Sequence, residues 1–250
     1  MKKKFKDTSD FYNKQGYYAW DHQSFSQDRV KKLTSELIVV LAQNKKLTVL
    51  DLGSGTGEWI YQISQRFPQH SYYGCDLAGK VITQNKKNKK NIHWSVQDIQ
   101  KTSYKDKMFD VIIAGEVIEH LSDTDSFLAD IHRVLKPKGL LFLTTPNLAS
   151  WLDRRMLLMG LQPFSTEVSN LSRTFGRESF YKLLLLPSKS DSAGHLRCFT
   201  KKALFSVLSH FRLVPVKDIP CHVHNILPNK IITRLMPSMS QNILVIAQKA

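Results

Sequence analysis

The chain is short of acid. It carries 36 lysines and arginines against 21 aspartates and glutamates, a net charge of +15 over 250 residues. It is also poor in cysteine: Cys75, Cys198 and Cys221 lie far apart, which excludes a disulfide framework and zinc-type cysteine pairs and suits reduced thiols in the cytoplasm. No apolar run approaches the roughly 20 residues that cross a bilayer; ELIVVLA and KLLLLP are core-sized. The basic start MKKKFKDTSDFYNKQ is followed by no apolar segment, so it does not read as a secretory signal. There is no internal repeat, no low-complexity tract and no Gly-Lys-Ser/Thr ending that would mark a phosphate-binding loop. The basic excess fits either a polyanionic partner or a solvated lysine-rich surface. Much of it is scattered or lies in NKKNKKN (85–91), and no aromatic-and-basic RNA-binding signature accompanies it.

What is present is an alternation. From about residue 30 to residue 147, short apolar runs alternate with helical patterns, the signature of a parallel sheet with crossover helices in one α/β domain. Strands are predicted at 47–53, 70–77, 91–98, 109–115 and 139–145, with two more at 213–219 and 242–248; the last is expected as an antiparallel partner on the sheet edge. Helices are predicted at 57–66, 79–87, 124–136 and 201–210, the third ending at KPKG, where Pro137 and Gly139 stop it. Two segments fall outside the alternation. Residues 1–30, rich in aromatics (Phe11, Tyr12, Tyr17, Tyr18, Trp20, Phe25), are expected to form a lid on a domain spanning 31–250. Residues 148–198, with the amphipathic piece WLDRRMLLMGL and a Ser-rich loop, are expected as an insertion that shapes a substrate site.

The turn after the first strand, VLDLGSGTGEW (49–59), places Gly53, Gly55 and Gly57 where a tight turn and close backbone approach to a ligand are needed. Glu58 stands where a dinucleotide fingerprint would place its third glycine. Taken alone, such a turn is a weak signal. Two downstream acids strengthen it. Asp76 ends the second strand, where a carboxylate accepts hydrogen bonds from ribose hydroxyls, and Asp98 ends the third, where it or the adjoining backbone can accept from an adenine amino group.

DLGSGTG, GCDL, VQDI, FDVIIAGEVIEHL and LKPKGLLFLTTPN together resemble the class I S-adenosylmethionine-dependent methyltransferases, over about residues 30–250. The resemblance implies a Rossmann-like, seven-stranded, mostly parallel sheet with a reversed last strand and helices on both faces. It implies S-adenosyl-L-methionine as cofactor, its methionine part over Gly53–Gly57, its ribose on Asp76 and its adenine beside Asp98 and Ile99, with Asp51, Ser54, Leu77 and Gly115 completing the pocket. TTPN and the later His195, Phe199 and Thr200 are similar to the O-methyltransferase branch that includes the ubiquinone-biosynthesis enzymes, while LLMGLQPFSTEVS fits better with members that resemble sugar and glycan-precursor methyltransferases. The acceptor this implies is a hydroxyl on a small-molecule, sugar or lipid-linked compound.

GEVIEHL (115–121) follows the fourth strand, so it lies beside the methyl donor. If it turns helical there, Glu116, Glu119 and His120 share a face. Three readings stay open. With His195 these residues form a divalent-cation site, as the similar Glu-x-x-Glu-His of small-RNA 2′-O-methyltransferases implies; or His120 or His195, with Glu119, handles the acceptor proton without metal; or the acids serve the start of a helix. Two further functional readings are an RNA 2′-O-methyltransferase, favoured by the charge, and a non-catalytic S-adenosylmethionine-binding scaffold. Finally, ILPNKIITRLMPSM (226–239), apolar and basic, is expected to border the acceptor pocket or touch a membrane surface.

Overall fold

Runs of consecutive apolar residues bounded by turn formers can be buried on both faces, and here they make the centre of one sheet. In the computed structural model, which describes residues 27–42, 46–183, 192–222 and 227–250, seven strands pair: β1 (Thr48–Leu52), β2 (Ser71–Asp76), β3 (Ile92–Val96), β4 (Phe109–Gly115), β5 (Leu135–Pro146), β6 (Leu213–Cys221) and β7 (Asn242–Lys249). Their order is β3-β2-β1-β4-β5-β7-β6. The first five run parallel, and β7 is antiparallel to both of its neighbours. This is the expected Rossmann-like sheet with a reversed last strand.

The reversed strand is not on the edge, however. β7 inserts between β5 and β6 because NILVIAQ is apolar on both faces and is buried almost throughout. β6 takes the edge. Its Pro215 and Pro220 cannot donate to a second neighbour, the ladder shifts register between Pro215 and Lys217, and Val214 and Val216 face solvent. β5 also begins earlier than expected. KPKG interrupts its pairing with β4 as a bulge rather than preceding the strand.

Helix α1 (Gln27–Leu41) buries Leu33, Leu37 and Leu41, spaced one helical turn apart. It begins inside the segment expected as a lid; the rest of that segment, residues 1–26 with all six of its cited aromatics, lies outside the described residues. The helices α2 (Glu58–Arg66), α3 (Gly79–Asn88), α4 (Thr124–Val134) and α7 (Lys201–His210) fall within two residues of the predicted spans. The insertion after β5 holds α5 (Trp151–Leu158) and α6 (Glu178–Leu183), and α8 (Leu227–Leu235) forms from the apolar, basic stretch before β7.

Alternation along each strand sorts the core into two layers. Val49, Val111, Ile113 and Phe142 pack with α1, α2 and α3 on one face; Leu50, Ile112, Leu141 and Leu143 pack with α4 and α7 on the other. The first layer has a tight point. The indole of Trp94 on β3 lies so close to Gly74 and Gly57 that a β-carbon at either would fall 2.2 Å from a ring carbon. Gly57 therefore serves packing as well as the turn, and its φ of 66° already favours glycine.

Gly74→Ala is expected to lower unfolding stability by about 1–3 kcal/mol through overpacking, and Trp94→Leu in the same chain should restore part of that loss; urea denaturation of the three variants checks it.

Candidate active site

Parallel strands of one sheet end on one side, and where the strand order reverses, between β1 and β4, the two following loops diverge and leave a crevice. The glycine turn lines one side of it. Gly53 and Ser54 both donate their amides to the Cys75 carbonyl, at 2.9 and 3.0 Å, and Gly53, Gly55 and Gly57 all take left-handed conformations. Asp76 braces the turn: its Oδ2 accepts from Gly55 N and its Oδ1 from Ala78 N, both at 2.9 Å. Asn85 closes the ring by donating to the Gly55 carbonyl at 2.9 Å.

The loops after β3 and β4 complete the pocket. A β-carbon on Gly53 would lie 2.4 Å from Val117 Cγ1 and 4.0 Å from Ile99 Cδ1, so the glycine turn, the segment beyond Asp98 and GEVIEHL meet at one point. Asp98 lies two residues beyond β3, and its Oδ1 accepts from the backbone and side chain of Gln100. Asp51 and Asp76 are buried, and Gly115 ends β4. The residues expected from sequence to hold the donor, Asp51, Gly53, Ser54, Gly55, Gly57, Asp76, Leu77, Asp98, Ile99 and Gly115, lie on β1, β2, β4 or the turns that follow the first four strands. Two features fit an S-adenosylmethionine molecule there: a cradle kept clear by glycines, and the buried Ser54 hydroxyl, which has no hydrogen-bond partner among the described residues.

GEVIEHL does not turn α-helical. Glu116 takes φ 55°, a left-handed turn, and is followed by a single 3-10 turn, Ile118–His120. Glu116 lies outside that turn, and its left-handed backbone sends its side chain away from Glu119. Glu116 Oε2 accepts from Asn242 Nδ2 at 3.1 Å and Oε1 lies 3.6 Å from Arg29 Nη1, so this residue, expected as a metal ligand, is turned toward β7 and α1. Glu119, His120 and His195 do come together: each offers one ligand atom, and these lie within 4.8 Å of one another.

Every member of this cluster is held by a second contact. Glu119 is buried; Thr145 donates to its Oε2 at 3.0 Å, while Oε1 has no hydrogen-bond partner among the described residues and stands 4.0 Å from His120 Nε2. Burial, then the negative charge of Glu116, push the Glu119 carboxyl well above the usual range, against the opposing pull of Thr145 and Arg29. Burial also pushes His120 down, to about 4, reinforced by His195. Burial thus disfavours the charged form of both groups, the Glu119 carboxylate and the His120 imidazolium.

The imidazoles are oriented alike. His120 Nδ1 lies 3.1 Å from the Gly194 carbonyl and His195 Nδ1 lies 3.0 Å from the Ser165 carbonyl. A carbonyl only accepts, so each Nδ1 carries the proton and each Nε2 is left toward the cluster. The ring centroids are 5.1 Å apart.

Sequence reasoning missed four residues of this site. Arg29 sits in the segment expected as a lid, Asn242 opens the last strand, Thr145 was seen only as part of TTPN, and Glu167 carried no spacing signal. The insertion reaches the cluster through residues 192–199: Leu196 N and Arg197 N both donate to the Glu119 carbonyl, at 2.7 and 2.9 Å, and Phe199 bridges Asn147. Asn147, fully buried, donates to the Ser238 and Ser240 carbonyls and so ties the TTPN turn to the segment before β7.

His120 makes a pH prediction. Its folded pKa of about 4 is below the unfolded value of 6.5, so the unfolded chain binds the proton first and stability falls as pH drops from about 6.5 to 4. The group accounts for about 3 kcal/mol of that loss at most. His120→Gln should flatten the pH dependence of urea-unfolding stability over this window relative to the parent chain.

Comparison with known proteins agrees with the geometry. A family described as "Methyltransferase domain" matches residues 43–176, more than half of the chain. The trans-aconitate 2-methyltransferase of Deinococcus radiodurans is 27% identical over 173 residues, 68% of this chain and 66% of that protein. The ubiquinone/menaquinone biosynthesis C-methyltransferase UbiE of Desulfotalea psychrophila is 32% identical over 93 residues, 36% of this chain and 38% of that protein. The chain thus spans less than two thirds of these curated relatives. Among solved structures, the 1,6-didemethyltoxoflavin-N1-methyltransferase of Burkholderia thailandensis, with S-adenosylhomocysteine bound, has the same fold, with a TM-score of 0.60 at 14% identity over 98% of this chain and 87% of its own. With its sheet order, its glycine cradle and a family match over more than half its length, the chain belongs to the methyltransferase-domain family, the class I S-adenosylmethionine-dependent methyltransferases.

Proposed function

We propose that this protein transfers a methyl group from S-adenosyl-L-methionine to a hydroxyl of a small-molecule, sugar or lipid-linked acceptor. The observation that carries the reading is the pair of imidazoles, His120 and His195, gathered with Glu119 and each held at Nδ1 by a backbone carbonyl. A carboxylate acceptor arrives ionised and asks nothing of a base, whereas a hydroxyl must lose a proton as it is methylated. The relatives' names alone do not choose, since they cover a trans-aconitate and a C-methyltransferase.

S-Adenosylmethionine brings an already electrophilic methyl group on a sulfonium. The chain's own task is to align the acceptor, keep water out and receive the proton. Gly53–Gly57 and Asp76 hold the donor's methionine and ribose parts. His120, kept neutral by burial, is a poor base and serves as a hydrogen-bond acceptor that orients the hydroxyl; His195 takes the proton. Glu119, whose carboxyl burial pushes well above its usual range, offers its oxygens to the same space.

A divalent cation suits the same three residues. One carboxylate oxygen and two imidazole nitrogens make a mixed O/N donor set for a borderline metal, and the unpartnered Glu119 Oε1 is the kind of atom a cation would satisfy. Glu119, His120 and His195 would hold it, and it would lower the pKa of an acceptor hydroxyl. Residues 148–198 serve as the acceptor side of the site, and 1–30 as its lid. We place the protein in the cytoplasm, where Cys75, Cys198 and Cys221, none of them in a disulfide, stay reduced. An RNA 2′-hydroxyl is the alternative acceptor, favoured by the +15 charge.

The lipid-linked version draws on an exposed surface of the insertion. Leu157, Leu158 and Met159 close α5 in solvent, and Val168, Leu171 and Phe175 are exposed on the loop that follows. Arg154 and Arg155 are the exposed charges beside them on α5, which suits an anionic bilayer.

Two measurements test this reading. S-Adenosylhomocysteine at about 100 times its Kd should raise the melting temperature by about 5–10 °C; no shift would remove the reading. A further rise with manganese or zinc, lost in Glu119→Ala and His195→Ala, identifies the cation site, and a rise kept in both variants rules out this ligand set. The protein should also pellet with vesicles containing anionic lipid and lose that binding in Leu158→Glu with Leu171→Glu; no pelleting dismisses the membrane-delivered acceptor, and a nucleic-acid affinity that falls steeply with salt would favour RNA instead.

A further inference from the structure

One carboxylate outside the donor and acceptor pockets is engaged more heavily than its place in a surface loop requires. Glu167 lies in the insertion between α5 and α6. Its Oε2 accepts from Ser192 Oγ at 2.6 Å, from Gly194 N at 2.8 Å and from His195 N at 3.3 Å, and its Oε1 accepts from Ala193 N at 2.8 Å. Four donors from four consecutive residues converge on one side chain. Burial alone would push this carboxyl up, but the hydrogen bonds from Ser192, Ala193 and Gly194 outweigh it and hold the group below its ordinary value, as an anion.

The loop so gripped is the one that orients the imidazoles. Gly194 stands at φ 78°, a conformation open to glycine, and its carbonyl receives the Nδ1–H of His120. The next residue, His195, is pinned at its ring by the carbonyl of Ser165, two residues before Glu167. Ser165 and Glu167 therefore hold the side chain and the backbone of the same residue from a single short segment. Among the described residues, the Gly194 carbonyl is the group that selects the Nδ1–H form of His120.

We propose that Glu167 is a positioning residue: by fixing the 192–195 loop it sets, through the Gly194 carbonyl, which nitrogen of His120 carries the proton, and it holds His195 beside it. The proposal rests on the reading of His120 and His195 as the groups that meet the acceptor, and Glu167 itself touches neither donor nor acceptor. A neutral isostere cannot replace it. An amide offers one accepting oxygen, and its NH2 would face backbone N–H groups that also need an acceptor, so one side of the clamp is lost.

The test uses the full chain at a fixed pH of about 7.5, well above the folded value for His120, and needs no acceptor. Amide hydrogen exchange is followed at Ala193, Gly194 and His195, and the protonated nitrogen of His120 is assigned from side-chain 15N spectra. In the parent chain His120 should carry its proton on Nδ1. In Glu167→Gln the three amides should exchange at least about tenfold faster, as expected for loss of charge-assisted hydrogen bonds, and His120 should become a mixture of both tautomers; Glu167→Asp should fall between. Faster exchange with the His120 tautomer unchanged would overturn the proposal, and so would unchanged exchange. Should Glu167→Gln fail to fold, Ser192→Ala removes one donor to the clamp, and an unaltered Gly194 exchange rate there would count equally against it. Because these readouts do not depend on turnover, they can succeed even where His120→Ala and His195→Ala leave methyl transfer intact, an outcome that sinks the functional reading alone.

Discussion

The parallel pairing of β1 with β4, Val49 with Val111, Leu50 with Ile112 and Asp51 with Ile113, is the constraint on which the rest of the site depends. Neither strand is adjacent to the other in sequence; β2 and β3 have left to one side, and β5 leaves to the other. The glycine turn after β1 and GEVIEHL after β4 therefore open from neighbouring strand ends in opposite directions, and Val117 comes to rest against Gly53. No single motif contains that relation; it is made by backbone hydrogen bonds in the middle of the sheet.

Burial then does two opposite things to the groups at this point. It penalises a negative charge on Glu119 and a positive charge on His120, raising one pKa and lowering the other in two groups about 4 Å apart.

The division of labour between sheet and insertion follows from this. The sheet supplies donor residues at strand ends, where both faces are packed and little can move. The described residues of 148–198 are tied down by specific polar contacts: Glu167 with the 192–195 loop, the Glu119 carbonyl with Leu196 and Arg197, and the buried Arg177 gathering the carbonyls of Gln162, Pro163, Thr166 and Arg173. Such contacts are replaceable one by one, so the acceptor side can vary while the donor side stays the same. This is why a shared fold with relatives named for different acceptors does not transfer an acceptor to this chain.

The strands, their approximate ends, the glycine turn and the two strand-end aspartates were legible in the sequence, because each depends on local period, turn chemistry or position at the end of an apolar run. β7 as the reversed strand was legible only in part: its apolarity on both faces suits an interior place, and the prolines of β6 suit an edge, but pairing between distant strands was needed to decide the order. The site of proton handling was not decided by spacing. Glu116, Glu119 and His120 would share a face on an α-helix, yet the left-handed turn at Glu116 and the 3-10 turn after it separate the first from the other two, and only tertiary contacts carry His195 and Glu167 across from the insertion. By itself, then, the sequence determined that a donor could be cradled and where the strand ends would lie. Which side chains meet that donor was decided by the tertiary structure, because it rests on contacts between residues far apart in the chain whose energy no local period records.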